Sequence, residues 1–299
     1  MKPTVSKIKL LGISISILLL SLIFLYVKPD GILRYVSQFP SSLLLMVLAL
    51  MIANVFLVVY RYYRILRHFG FHLPWWQVFK ASTVANIASL VVIPLMGQMV
   101  GRQTILRAAG ISSIENAAIV AYERILVGAT SATLALLGGS YLLGASISDH
   151  IENLPIWEIL LIVVAAAAIS FSIGATAFER MVLKTVFTRN NVIRISELVL
   201  ITIISLALML SCFALLFSVI APSQTVLVLL SAAAVVSFAA GLPISFGGWG
   251  LREVASIYIL GLLGVGSGQA LAASILCGVL SIMSVLVFGP FVFSSRKAK

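Results

Sequence analysis

Apolar residues fill this chain in long unbroken blocks, not in the alternation of a half-buried strand or the one-sided stripe of a surface helix. Blocks long enough to cross a hydrocarbon core of roughly 30 Å fall at 8–27, 41–60, 117–143, 156–178, 197–220 and 269–293. Two further blocks, 78–97 and 226–263, are interrupted. The first runs into Ile93-Pro94-Leu95-Met96-Gly97-Gln98-Met99-Val100-Gly101-Arg102, and the second holds Leu242-Pro243-Ile244-Ser245-Phe246-Gly247-Gly248-Trp249-Gly250-Leu251-Arg252-Glu253. In lipid, a Pro/Gly break frees backbone N–H and C=O groups, so it survives only where protein or a wet cavity covers it. Paired breaks in two halves of a chain point to a transport site.

Composition agrees with an integral membrane protein: 61% of the 299 residues are hydrophobic and 10% are charged. That balance excludes an ordinary soluble globule. Lys2, Lys7 and Lys9 precede the first block, which ends at Lys28-Pro29-Asp30 with no small-x-small cleavage pattern, so an uncleaved first helix is expected. Cys212 and Cys277 lie inside apolar blocks and read as small packing residues, with no disulfide framework or metal site implied.

A net charge of +11 raises the question of nucleic acid, and the placement of the charges answers it. Lys and Arg cluster at 2–9, 61–80, 102–107, 180–194 and 296–299, sixteen in all, whereas 28–40, 144–155, 221–225 and 264–268 hold only Lys28 and Arg34. This is the positive-inside asymmetry of a membrane protein, with anionic lipid headgroups as partners and no nucleic acid. It places both termini in the cytoplasm and Asp149, His150 and Glu152 outside, in the cell membrane.

The block 78–97 has positive charge at both ends, Lys80 at its start and Arg102 and Arg107 after it. A re-entrant hairpin that leaves by its own face removes the conflict, with Pro94, Gly97 and Gly101 supplying the turn. The second break has uncharged flanks and dips in from the other face. The expectation is an all-α polytopic protein of six full spans plus two opposed hairpins, or eight spans on the rival count. One domain covers 1–299, with an inverted repeat in halves 41–143 and 197–293. The overlay extends past the breaks, from Gly110-Ile111-Ser112 and Asn116-Ala117-Ala118 to Gly264-Val265-Gly266-Ser267 and Gln269 to Ala273.

Each break precedes a stretch that reads as a new helix, with Arg102 or Arg252 in or near its first turn. Helix N-termini favour anions, and an Arg fork grips phosphate oxygens in two-pronged fashion. The candidate headgroup-binding set is therefore Arg102, Arg124 and Arg252 with Gly97, Gln98, Gly101, Gly247, Gly248 and Gly250, framed by Pro94 and Pro243. The other reading has the arginines snorkelling or closing structural ion pairs. Glu123 and Arg124 sit about two turns into an apolar block, a costly place for charge. Neighbours on a helix point about 100° apart, so each needs its own partner, such as Arg102 or Arg107 for Glu123. Glu123 and Glu253 are charge-balancing or coupling candidates, Glu253 also suiting a helix's first turn. His68 and His72 have metal-pair spacing, but Gly70 and Pro74 interrupt any helix there. Trp75 and Trp76 read as interfacial anchors. No cofactor is expected: 264–268 lacks the dinucleotide fingerprint, and no nucleotide-binding lysine loop occurs.

The run Pro94 to Leu106, the Glu123-Arg124 pair, and Pro243 to Glu253 followed by Gly264-Val265 and Ala270 to Ser274 together resemble the flippase-like family. That family is also called the lysylphosphatidylglycerol synthase transmembrane region, and includes the membrane half of the multiple peptide resistance factor. The resemblance runs from about residue 10 to 293. One departure is Gly97-Gln98, where the family usually shows Gly-Glu before the Arg. The resemblance implies translocation of a phosphate-containing lipid: aminoacyl-phosphatidylglycerol, an ordinary phospholipid or a polyprenyl-linked sugar. No polar segment of this chain is long enough for an aminoacyl-transferase, so synthase activity is not expected and the chain is not expected to be an enzyme. The competing class is a non-transporting partner that scaffolds a glycosyltransferase or a lipid-modifying enzyme.

Overall fold

The computed structural model describes residues 32–91, 94–146, 189–242 and 249–290. The predicted spans at 8–27 and 156–178, and Pro243, Gly247 and Gly248 among the candidate site residues, lie outside the described residues. Within them the protein is all-helical. In chain order the helices are α1 Ile32–Val36, α2 Ser41–His68, α3 Trp75–Val91, α4 Pro94–Leu106, α5 Ser113–Ser146, α6 Arg189–Ile220, α7 Val226–Gly241, α8 Leu251–Gly261 and α9 Ser267–Leu286. Four of them are long and apolar enough to cross a membrane, over Ser41–His68, Ser113–Gly144, Ile193–Ile220 and Ser267–Leu286. The chain is a multi-pass membrane protein.

The interrupted blocks become pairs of short helices. At a rise of about 1.5 Å per residue, α4 measures roughly 20 Å and α8 roughly 17 Å, both short of a core of about 30 Å. Helix α4 starts on Pro94, where a residue with no N–H leaves no donor unsatisfied. Gly97 and Gly101 do not form the turn. They lie inside α4 and let it press on α3: a Cβ at Gly97 would stand 2.6 Å from Ser89 Cα, and one at Gly101 would stand 2.6 Å from Ala85 Cα. As the position advances along α4 it recedes along α3, so the two helices are antiparallel. Small residues four apart allow this close backbone approach.

The second pair is α7 and α8, which also pack on each other. Gly110 and Gly264 end the two short second arms in the same way. Each has a left-handed φ, +82° and +79°. In each case the next residue's N–H reaches back, Ile111 to the Leu106 carbonyl and Val265 to the Leu260 carbonyl. This is the glycine-dependent helix stop that satisfies end carbonyls. Residues 41–146 and 189–286 thus present one order of elements: a long helix, two short ones, then a helix long enough to span.

Two buried clusters hold the bundle. One joins α2, α6, α7, α8 and α9 through residues such as Val47, Phe213, Phe217, Ala233 and Cys277. The other joins the end of α2 to α3, α4 and the start of α5 through Tyr62, Ile65, Leu66, Leu106 and Ile119. Close contact between α5 and α7 depends on Gly138, where a Cβ would meet the Ser231 carbonyl oxygen at 2.9 Å.

Candidate functional site

The second cluster surrounds a group of charges. Helix α2 continues eight residues past the apolar block that predicts it, to His68, and so carries Arg61 into the interior. Arg61, Tyr62, Ile65 and Leu66 share its buried face. Arg102 comes from the third turn of α4, not from its first, and Glu123 comes from α5. Arg61 Nη2 donates to Glu123 Oε1 at 3.1 Å, and Arg102 Nη1 donates to Glu123 Oε2 at 2.6 Å. All three residues are buried, Arg102 to 1% exposure. The Arg102 guanidinium carbon lies 3.6 Å from the centre of the Tyr62 ring, a cation–π contact in a desolvated setting.

Arg124 does not pair with its neighbour Glu123. Its Nε donates to Gln98 Oε1 on α4 at 3.2 Å. Gln98 is therefore an uncharged acceptor for this arginine. Asn116 Nδ2 donates to the Met99 carbonyl at 2.9 Å and fixes α5 against α4. The group thus holds three guanidiniums and one carboxylate, a formal charge of +2. Among the described residues, Arg61 Nε, Arg102 Nε, the Tyr62 hydroxyl and Asn116 Oδ1 are buried without a hydrogen-bond partner. Buried polar groups are nearly always paired, so this concentration of unsatisfied polar atoms marks a place suited to a polar guest.

The second break is organised differently. Gly250, at φ +91°, caps α8, and its N–H donates to Glu253 Oε2 at 2.6 Å. This is the acid-to-cap half of a capping box. Arg252, the second residue of α8, donates through Nη2 to Glu253 Oε1 at 2.6 Å. Adjacent helical residues do pair here, contrary to the general expectation. The reason is convergence on a third group: Ser274 Oγ on α9 accepts from Arg252 Nε at 3.2 Å and donates to Glu253 Oε1 at 3.2 Å. Arg252 also lies 4.7 Å from the Trp249 ring centre and rests on Gly278, where a Cβ would stand 2.7 Å from Nη1. Formal charge at this pair is zero.

Of the candidate site residues, Gly97, Gln98, Gly101, Arg102, Glu123 and Arg124 come together at the α3–α4–α5 junction, and Gly250, Arg252 and Glu253 at the start of α8. Arg61, Tyr62, Trp249, Ser274 and Gly278 belong to these groups and are not apparent from the motifs. Arg61 looks like loop charge beside Arg64 and Arg67, yet its four-residue spacing to Ile65 is the signal that puts it on the buried face. His68 and His72 are not joined by any third ligand: no metal-holding group of three occurs among the described residues. Trp75 and Trp76 are exposed at the start of α3, as anchors should be.

Comparison with family models matches residues 9–289 to the one described as Lysylphosphatidylglycerol synthase TM region. No curated protein matches the chain.

Proposed function

The chain belongs to the lysylphosphatidylglycerol synthase TM region family, and from that premise we propose that it translocates a phosphate-bearing lipid headgroup across the cytoplasmic membrane. The observation that carries the reading is the excess of positive charge in this group: buried Arg61 and Arg102 and half-buried Arg124 against Glu123 alone. A charge at depth costs about 2.5 to 3.5 kcal/mol on insertion scales, and an arriving anion offsets that cost. A lipid phosphate meets Arg124 and the unsatisfied Nε groups of Arg61 and Arg102, while its acyl chains stay in the bilayer. Glu123 holds Arg61 and Arg102 in place when no lipid is bound. Gln98 positions Arg124 without neutralising it, which a carboxylate would do.

Arg252 and Glu253 form the other end of the path, a self-balanced pair that an anion opens by competing for the guanidinium. Both termini are cytoplasmic in this reading. In this reading the reaction is transport and not bond chemistry: among the described residues the charged groups at depth are arginines and the carboxylates that pair with some of them.

The test is reconstitution in liposomes with headgroup-labelled phosphatidylglycerol, its aminoacyl form and a polyprenyl-phosphate sugar, with and without a proton gradient. Faster exchange of at least one than in empty liposomes, slowed by Arg102→Gln and Arg252→Lys, is the expected result. If none moves faster than in empty liposomes, the scaffold reading replaces this one.

A further inference from the structure

A second group of cations begins one helical turn beyond Arg61 and faces a different neighbour. Arg64, Arg67, His68 and His72, from the end of α2 and the loop after it, meet Arg194, Glu197 and Leu198 of α6 around a cavity of about 330 Å³. Its volume lies at the lower end of the usual range for small-molecule pockets, roughly 300 to 1,000 Å³.

Only part of the charge is balanced. Arg64 pairs with Glu197 at 2.5 Å and also donates to the Tyr60 hydroxyl at 3.1 Å. Arg67 lies 5.0 Å from the Tyr63 ring centre, and neither Arg67 nor Arg194 meets a carboxylate among the described residues. Three arginines and one glutamate leave a formal +2 before either histidine is counted. His68 Nδ1 is buried with no hydrogen-bond partner, and its ring stacks on Tyr122 with centroids 6.2 Å apart.

The surroundings fix the depth. Tyr60, Tyr63 and Trp75 form a ring cluster beside the cavity, with Tyr63 and Trp75 centroids 5.6 Å apart and Tyr60 and Trp75 centroids 6.4 Å apart. Exposed Tyr60, Trp75 and Trp76 mark the headgroup level of a bilayer. Farther along α6, Leu200, Ile203 and Ile204 are exposed apolar residues of the kind that face acyl chains.

We propose that this cavity binds the phosphate of an anionic membrane lipid, with Arg67 and Arg194 as its ligands and the aromatic cluster flanking the backbone of the lipid. An excess of two charges favours a phosphomonoester dianion over a diester. The same chemistry is found in free phosphate, but aromatic residues at headgroup depth and an apolar face on α6 favour the lipid. The site is separate from the transport reading and uses none of Arg61, Arg102, Glu123 or Arg124.

The test is titration calorimetry of the full chain in an uncharged detergent against dioctanoyl phosphatidic acid, dioctanoyl phosphatidylcholine and inorganic phosphate. Wild type, the double variant Arg67→Gln/Arg194→Gln and a control variant, Arg107→Gln, at an exposed arginine just past α4, are compared. Both surface arginines are exposed, so the double variant should keep the size-exclusion profile of the wild type. Expected are preference for phosphatidic acid over the other two probes, loss of about tenfold or more in affinity in the double variant, and retention in Arg107→Gln. Wild-type affinity in the double variant, or a loss in Arg107→Gln as large as in the double variant, overturns the site. Inorganic phosphate binding as tightly as phosphatidic acid overturns the lipid assignment.

Discussion

If Glu123 is the shared counter-ion of Arg61 and Arg102, removing it and removing one of its partners should not add. Glu123→Gln leaves three guanidiniums, two of them buried, with no carboxylate, and breaking a buried pair from one side costs about 3 to 5 kcal/mol. The amide oxygen of Gln still accepts one hydrogen bond, so the lower end, about 3 kcal/mol, is expected. Arg102→Gln removes the 2.6 Å bond and the Tyr62 contact but leaves Glu123 with Arg61 at 3.1 Å, again for about 3 kcal/mol. The double variant returns the group to a formal +2, as in the wild type. Its cost should therefore be about 3 to 4 kcal/mol, a coupling of roughly 2 to 3 kcal/mol. Reversible unfolding in mixed micelles, followed by circular dichroism, measures each corner of the cycle. Additivity within about 0.5 kcal/mol would refute the shared counter-ion.

Other consequences are as direct. Gly101→Leu should lower the thermal midpoint in detergent and separate α4 from α3, because even a Cβ there meets the Ala85 backbone; Gly128→Ala, with nothing within 4 Å of its Cβ, should be close to neutral. Gly278→Val should displace the Arg252 side chain and destabilise the protein by about 1 to 3 kcal/mol, read from the same unfolding curves. In a background lacking Cys212 and Cys277, single cysteines at Phe71 and Ser112 should both be shielded from an impermeant thiol reagent added outside, and one at Ser223 should react; Phe71 and Ser112 on opposite sides would end the re-entrant reading of α3 and α4.

Much of the architecture is legible in the residue pattern. The apolar blocks locate α2, α5, α6 and α9, and Pro94 locates the start of α4, because block length and proline's missing N–H act locally. What escapes is information carried between elements. The apolar run of α2 stops at Tyr60, but the helix continues because Tyr62, Ile65 and Leu66 bury against α3, α4 and α5, and that packing draws Arg61 inward. Gly97 and Gly101 suggest a turn by residue type alone; their four-residue spacing is equally that of a packing face, and only the partner helix decides between the two. Arg252 and Glu253 pair because Ser274, on a helix more than a dozen residues away, gathers both side chains. The single carboxylate of the buried group is visible as Glu123, whereas its second partner is not, since Arg61 sits in a run of evenly spaced arginines that charge counting assigns to the membrane surface.

Arg124 offers the most direct test of the account, because it belongs to the buried cationic group without being bonded to its carboxylate, so its removal orphans no negative charge. The decisive quantity is the rate at which labelled phosphatidylglycerol changes leaflet in liposomes containing Arg124→Gln, relative to wild type at equal protein density. A phosphate held by this guanidinium in the rate-limiting state should lose about 1.5 to 3 kcal/mol, a slowing of roughly tenfold to a hundredfold, with unfolding in detergent little changed. Wild-type rates in Arg124→Gln would contradict the claim that the buried arginines carry the headgroup.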